Sequence, residues 1–416
     1  MLSFRSISKD RIYYGWVVVS VLLIILSMIL GTRYTFGVFF KSIASEFDLT
    51  RAATSGIFST LMVLCSVFAV LGGWALDRYG PRIIFFIMGI FISLSLLLTS
   101  QTYTAWQLLV TYSFLLAMGT GAGFALVTAT ASKWFVKKRG LALGIALSGE
   151  GLGTLVMPPI AAYLIADLGW RTALLIIGLM AGVVIINLSL LLKDNPSLAE
   201  APNRVTPPHE YMKAPRSDEG QLISYSLLAA LKTNSFWFLW VIWFLFSLCW
   251  HLVLTHIVPY TTDIGISATI SASILALIGG ITIPSRLIMG WISDRIGRKL
   301  TATICASIQA LAMIWLALSS ELWMLYMFAA IYGLSFGGLS TMIAVLISET
   351  FGLKNLGVIT GALVVGFATG AAVGPLIAGL IYDVSNEYFI AFIVGAAAML
   401  LVALIMPLIK RKEMVQ

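Results

Sequence analysis

Gly73-Trp74-Ala75-Leu76-Asp77-Arg78-Tyr79-Gly80-Pro81-Arg82 and Gly290-Trp291-Ile292-Ser293-Asp294-Arg295-Ile296-Gly297-Arg298-Lys299 are two copies of one pattern. They stand 294 − 77, or 217, positions apart. The same shift carries Gly140, Gly144, Gly149, Gly153 and Pro158 onto Gly357, Gly361, Gly366, Gly370 and Pro375. One glycine match would carry no weight, but five small or proline positions in register with a loop motif point to a duplicated chain. Each copy ends one apolar stretch and opens the next from the same side, so the repeat is parallel rather than inverted.

The apolar stretches define the class. Of the 416 residues 60% are hydrophobic and only 11% charged, with mean hydropathy +0.99. A soluble domain is about 45–50% apolar and about 25% charged. The chain reads as an all-α polytopic membrane protein with twelve spans, each near the roughly 20 apolar residues that cross a bilayer. The first six run about 14–36, 53–75, 82–100, 105–131, 139–165 and 171–192. The second six run about 235–260, 268–292, 300–319, 322–348, 356–382 and 388–409. Between the sets, Pro196, Pro202, Pro207, Pro208 and Pro215 stand among mixed charges, a composition that builds no core. The expected division is a six-helix bundle over 1–192, a linker over 193–231 and a second bundle over 232–416. The first span follows Arg5, Lys9 and Arg11 and is too long for a signal-peptide core, so it reads as retained.

Charge placement orients the chain. Lys41, Arg51 and Arg171 fall on one side and Arg33 and Arg286 lie within spans, which leaves 21 of the 26 basic residues on the other side. By the positive-inside bias both termini and the linker face the cytoplasm, in a plasma or bacterial inner membrane. Cys65, Cys249 and Cys305 all lie in apolar spans, which argues against a disulfide framework. No cluster of His, Cys and acids suggests a metal site, and no phosphate-binding loop suggests ATP-driven transport. An enzyme is disfavoured, since no nucleophile–base set is evident.

Two kinds of charge within this apolar frame call for explanation. The first is Arg286, in Gly279-Gly280-Ile281-Thr282-Ile283-Pro284-Ser285-Arg286. An arginine in a span costs roughly 2.5–3.5 kcal/mol on insertion scales. It either snorkels to the headgroups or faces an anion in a wet cavity. Pro284 and the glycine pair point to a locally broken helix beside a lone cation, as at a midplane binding site. The second is the loop motif, where Asp77 with Arg78 and Asp294 with Arg295 can latch helix ends in one conformation and release them in another. The bland alternative is a topology signal made of positive charge alone.

The repeated loop and the twelve-span layout resemble the major facilitator superfamily over nearly the whole chain. Lys133-Trp134-Phe135, Lys138-Arg139-Gly140-Leu141-Ala142-Leu143-Gly144, Ser148-Gly149, Pro158-Pro159, Gly169-Trp170-Arg171, Tyr14-Gly15-Trp16 and Phe39-Phe40-Lys41 are similar to the monocarboxylate transporter and oxalate–formate antiporter branch. The resemblance implies a rocker-switch carrier with one central site between its halves. In monocarboxylate carriers an arginine of the eighth helix binds the substrate carboxylate, and Arg286 matches it. The chain departs from that branch in three places. The acid one turn before the arginine is Thr282, the lysine late in the first helix is replaced by Tyr34 beside Arg33, and the eleventh helix from Gly361 to Ile381 carries no lysine. One central cation suits a monoanion better than a dianion.

Further candidates lie within the spans. Glu150, flanked by glycines in the fifth helix, sits where a carboxylate is disfavoured as an ion, so it is a candidate proton carrier or the partner of a facing polar group. His251 titrates in the right range for coupling or substrate contact, and a satisfied structural histidine is an equal alternative. Tyr332 and Phe336, four apart in the tenth helix, share a face. With Phe367 and Tyr34 they are candidates to line a cavity, against the alternative of packing aromatics. Arg33 is expected near the outer end of its helix, snorkelling or pairing at a gate, with direct substrate contact as the lesser alternative. Glu349 is expected to pair with loop arginines.

The function expected is secondary transport of a small monocarboxylate such as lactate or pyruvate around Arg286, with a proton as the coupling ion and no other cofactor. The alternatives are organic-anion exchange of the oxalate–formate kind and a transporter-like sensor without flux. Lipid and a small carboxylate are the expected partners, nucleic acid is not one, and the chain is read as a monomer.

Overall fold

A computed structural model describes residues 14–135, 139–193, 225–352 and 356–409. The central part of the expected linker lies outside them. Among the described residues, twelve helices are long and apolar enough to cross a membrane. They are α1 (Tyr14–Glu46), α2 (Arg51–Leu76), α3 (Arg78–Thr99), α4 (Ala105–Trp134), α5 (Leu141–Leu168) and α6 (Trp170–Ser189). The second set is α7 (Asn234–Asp263), α8 (Ala268–Ile296), α9 (Arg298–Ala317), α10 (Leu322–Phe351), α11 (Val358–Ser385) and α12 (Phe389–Leu408). The chain is an integral, multi-pass, all-α membrane protein.

Local chemistry sets several boundaries. Thr50, Thr233 and Ser267 open α2, α7 and α8, each accepting the backbone N–H three residues on, which satisfies one orphan donor of the first turn. The end of α1 differs from the expected 36: Thr35 interrupts the helix for one residue and the chain resumes at Phe36 through Glu46. The end of the expected linker is also ordered, with a short helix over Leu227–Leu231 and Tyr225 N–H bonded to the Phe351 carbonyl at 3.2 Å.

The duplication is written in the backbone. Asp48 and Gly265, Gly80 and Gly297, and Gly169 and Asn386 all adopt positive φ, and each pair lies 217 positions apart. The invariant spacing of the loop motif thus has a physical cause at Gly80 (φ 78°) and Gly297 (φ 94°), where a side chain would be strained.

Close glycine contacts build each bundle the same way. A Cβ on Gly153 of α5 would lie 2.4 Å from the Ser27 carbonyl of α1, and one on its counterpart Gly370 of α11 would lie 2.1 Å from the Phe244 carbonyl of α7. Small residues let transmembrane backbones approach this closely. Gly73, Gly144, Gly290 and Gly361 behave oppositely, with no atom within 4 Å of an added Cβ. They form two repeat-related pairs on the halves of α2, α5, α8 and α11 nearest the loops of the repeated motif. We call this the basic face. Gly153→Leu is expected to destabilise the fold by about 1–3 kcal/mol through overpacking, whereas Gly144→Leu leaves it nearly unchanged. Thermal unfolding of the two purified variants checks this.

The opposite face is shut by contacts between the halves. Asp263 of α7 takes Lys41 of α1 at 2.6 Å and Arg51 of α2 at 2.8 Å. Asp383 of α11 accepts the backbone N–H groups of Arg51 and Ala52, both at 2.8 Å, capping α2 across the bundle boundary. Arg51 also donates to Tyr388 at 2.6 Å. The Tyr388 hydroxyl therefore donates its own hydrogen to His256 Nδ1 at 3.0 Å, and His256 Nε2–H donates to the Pro375 carbonyl at 3.0 Å beside Ser55. The molecule is closed at this end and parted at the basic face. These exposed ion pairs are worth about 0.2–1 kcal/mol each. Asp263→Asn removes two of them and is expected to speed labelling of a Ser55→Cys reporter by an impermeant maleimide roughly two- to thirtyfold. The native cysteines are buried and leave little background.

Candidate functional site

Arg286 turns inward. Its side chain is 19% exposed, whereas neighbouring Leu287 is 73% exposed. The expected lone cation has a partner. Its Nη2 meets Glu150 Oε2 at 2.5 Å, and its Nη1 donates to the Leu147 carbonyl at 3.1 Å. The acid belongs to α5 and the base to α8, so one partly buried pair joins the two halves. It lies where their packing ends: Gly151 touches Gly279 and Thr282 just beyond it, while Gly144 and Gly290 on its other side face open space.

The expected break in α8 is absent. Ala268–Ile296 is one continuous helix despite Pro284. The interruption falls in α5, between Arg139–Leu147 and Gly149–Leu168. It serves the site in two ways. Glu150 stands in the first turn of the second piece, where the helix N-terminus favours its negative charge. The Leu147 carbonyl ends the first piece and is taken by Arg286. Thr282, at the position where the resemblance implies an acid, donates to Gly279 within its own helix at 2.7 Å.

Tyr34 reaches the same centre, its hydroxyl donating to Glu150 Oε1 at 3.4 Å. Its ring lies 6.3 Å from both Trp250 and His251. His251 is 1% exposed, and its Nδ1 donates to the Ser247 carbonyl at 2.9 Å. That bond fixes the tautomer and leaves Nε2 as an acceptor, and the ring packs beside Tyr34, Phe58 and Phe367. Phe336 stacks on Trp250 at 3.8 Å and on Phe246 at 5.0 Å. Phe367 is half-buried between His251 and Trp243. Arg286, Glu150 and Tyr34 thus meet where the bundles join, His251 lies beside Tyr34 and Phe367 beside His251, while Phe336 packs between Trp250 and Phe246 of the second bundle.

Other candidates sit elsewhere. Tyr332 is fully buried behind Trp250, and its hydroxyl contacts Cys249 Sγ at 3.6 Å. It packs within the second bundle, with its hydroxyl already engaged. Asp294 is exposed and makes no ion pair among the described residues, while Arg295 lies over the Trp291 ring at 3.7 Å. Among the described residues Asp294 thus joins no latch. The ion pair at this corner is Arg298 with Glu349, as expected for the acid. Arg78 stands near Trp74 and Tyr79, and the Asp77 side chain lies outside the described residues. Arg33 overturns its expectation: it does not snorkel, being only 9% exposed inside the first bundle.

Trp250, which adjoins His251 in the sequence but is not among the candidates read from it, packs edge-on to Tyr34 beside the central pair. Its Nε1 is buried without a hydrogen-bond partner.

Two repeated bundles, shut at one end around a central inter-bundle ion pair, are the architecture of an alternating-access carrier. The family model of the Major Facilitator Superfamily matches residues 22–319 and 280–415, and the chain belongs to that family. Monocarboxylate transporter 12 of Xenopus laevis is 24% identical over 95% of this chain and 89% of its own length. The oxalate:formate antiporter of Oxalobacter formigenes is 25% identical over 72% of this chain and 68% of its own. Among solved structures, a D-xylose-proton symporter aligns with a TM-score of 0.75 at 15% identity, covering 94% of this chain and 97% of that one. A bacterial homologue of the human lysosomal transporter Spinster, inward-facing and occupied, aligns at 0.71 and 14% identity over 96% of each chain. The protein is a transporter, not an enzyme.

Proposed function

We propose that this chain carries small monocarboxylates of the lactate or pyruvate type together with a proton, across a plasma or bacterial inner membrane with both termini and the basic face cytoplasmic. The observation that carries the reading is the Arg286–Glu150 pair. A substrate carboxylate and the Glu150 carboxylate have the same chemistry, so they compete for one guanidinium. Arg286 fits a carboxylate through its planar fork of donors. When substrate displaces Glu150, a second carboxylate is left in a low-dielectric setting, and taking up a proton removes that cost. Substrate and proton then load together, and unloading both restores the internal pair. The rings of Tyr34 and half-buried Phe367, on either side of His251, suit a short aliphatic tail. The names of the relatives agree with a carboxylate cargo.

The test is uptake of radiolabelled L-lactate into proteoliposomes with an imposed pH gradient, with lumenal pH recorded in parallel. An acidic exterior is expected to drive uptake with matching lumenal acidification. Lactate movement only against preloaded anions, with no pH change, would assign the chain to exchange instead.

A further inference from the structure

His256 is a fully buried imidazole at the closed face, and it touches both halves. Its Nδ1 accepts from Tyr388, just ahead of α12, at 3.0 Å. Its Nε2–H donates to the Pro375 carbonyl of α11 at 3.0 Å, with Ser55 Oγ of α2 at 3.1 Å from the same nitrogen. The ring of Phe40 in α1 packs on it at 5.1 Å.

The fold does not require a histidine here. The 217-residue shift places Phe39 at the equivalent point of the first half, equally buried. The same shift reveals a second exchange. In the first half, Glu46 of α1 takes Arg171 of α6 at 2.9 Å. Their counterparts are Asp263 and Tyr388. A neutral phenol does not balance the acid, so Asp263 takes Lys41 and Arg51 from the other half instead, and Tyr388 accepts from Arg51. What is a clasp inside the first bundle is, in the second, a set of contacts between bundles. A titratable ring stands at its inner end.

The hydrogens of this network admit one state of that ring. Arginine only donates, so the Tyr388 oxygen accepts from Arg51 at 2.6 Å and its own hydrogen goes to Nδ1. A proton on Nδ1 would meet the phenol hydrogen head on. It would also set an imidazolium one phenol oxygen away from the Arg51 guanidinium, where like charges repel. The nearby acids are already engaged: Asp263 holds Lys41 and Arg51, and Asp383 caps the α2 backbone. Tyr260 and Tyr382, packed on Tyr388, are neutral phenols.

We propose that His256 is a proton-operated catch on the closed face: a proton on Nδ1 breaks the Arg51–Tyr388–His256 chain and favours the form in which this face is open. The proton comes from the medium when the gate breathes. It is held in the open form, where water solvates the imidazolium, so acidity on this side shifts the population toward opening there. That this side is the external one rests on the orientation proposed above, while the catch does not depend on the cargo.

Maleimide labelling of the full purified chain tests it, with Ser59→Cys as the reporter. Ser59 lies one turn deeper on α2 than Ser55, and its hydroxyl donates to the Ala372 carbonyl of α11 at 2.5 Å, so this position is covered while the face is shut. Rates at pH 5.5 and pH 8 are divided by those of Tyr103→Cys, at a position 79% exposed, which removes the pH dependence of the thiol itself. The corrected rate is expected to be roughly tenfold higher at pH 5.5, because a solvated histidine titrates near about 6.5. The step is expected to vanish in His256→Gln and to persist in Glu150→Gln, which separates the catch from the central pair. Tyr388→Phe is expected to label fast at both pH values, and it serves if His256→Gln does not fold. An equal step with and without His256→Gln, no step in the reporter chain, a step lost with Glu150→Gln or a tenfold step kept in Tyr388→Phe overturns the catch. A chain that takes up no lactate yet shows the His256-dependent step refutes the carboxylate-carrier reading and leaves the catch standing.

Discussion

Arg286→Ala is expected to cut L-lactate uptake roughly thirtyfold or more, since truncating one partner of a partly buried, charge-assisted contact costs about 2–5 kcal/mol. Two separable losses contribute. The substrate carboxylate loses its guanidinium, and Glu150 loses the pair that joins α5 to α8 at 2.5 Å. Arg286→Lys separates them. A lysine keeps the charge but not the fork, so it is expected to retain the thermal stability of wild type while uptake falls roughly tenfold. Uptake and unfolding measured on both variants give the answer. Lactate uptake of normal rate in well-folded Arg286→Ala would remove this residue from the transport pathway.

Glu150→Gln is expected to uncouple transport from pH. Glutamine copies the shape of the protonated acid and cannot release a proton. In wild type the Glu150 carboxylate competes with lactate for Arg286, which it holds at 2.5 Å. In the variant the guanidinium is permanently less contested, so apparent lactate affinity rises. Accumulation driven by a pH gradient is lost, while lactate–lactate counterflow continues. Counterflow and net uptake, each measured from pH 5.5 to 8, check this. Net uptake that still follows the gradient would move the proton to another group.

Much of the fold was legible because it rests on periodic physical needs. Apolar runs must match a bilayer, basic loops must stay on one side, and the glycines that permit close approach or positive φ recur wherever the duplicated backbone demands them. The site was less legible because pairing is a property of three dimensions. Arg286 and Glu150 were each recognised as charges out of place, yet 136 positions separate them, and spacing alone does not join them. Electroneutrality in a poor solvent was the available signal. The helix break was assigned to Pro284 on local chemistry, but α8 stayed continuous, and the interruption arose beside Gly149, whose Cβ would meet the Leu23 carbonyl at 2.4 Å. Arg33 was misread through span length: α1 runs on to Glu46, so a residue taken for the rim lies well inside. Tyr332 shared the helical face of Phe336, yet Cys249 and Trp250 enclose it.

Gly73, Gly144, Gly290 and Gly361, now bare toward the basic face, bear on turnover more than on affinity. When the molecule rocks over, these four stretches of naked backbone are the surfaces that must come together to seal it, in place of the residues now sealing the far end. A bulky side chain there would wedge the door ajar: cargo would still dock from that side, but it would never be delivered.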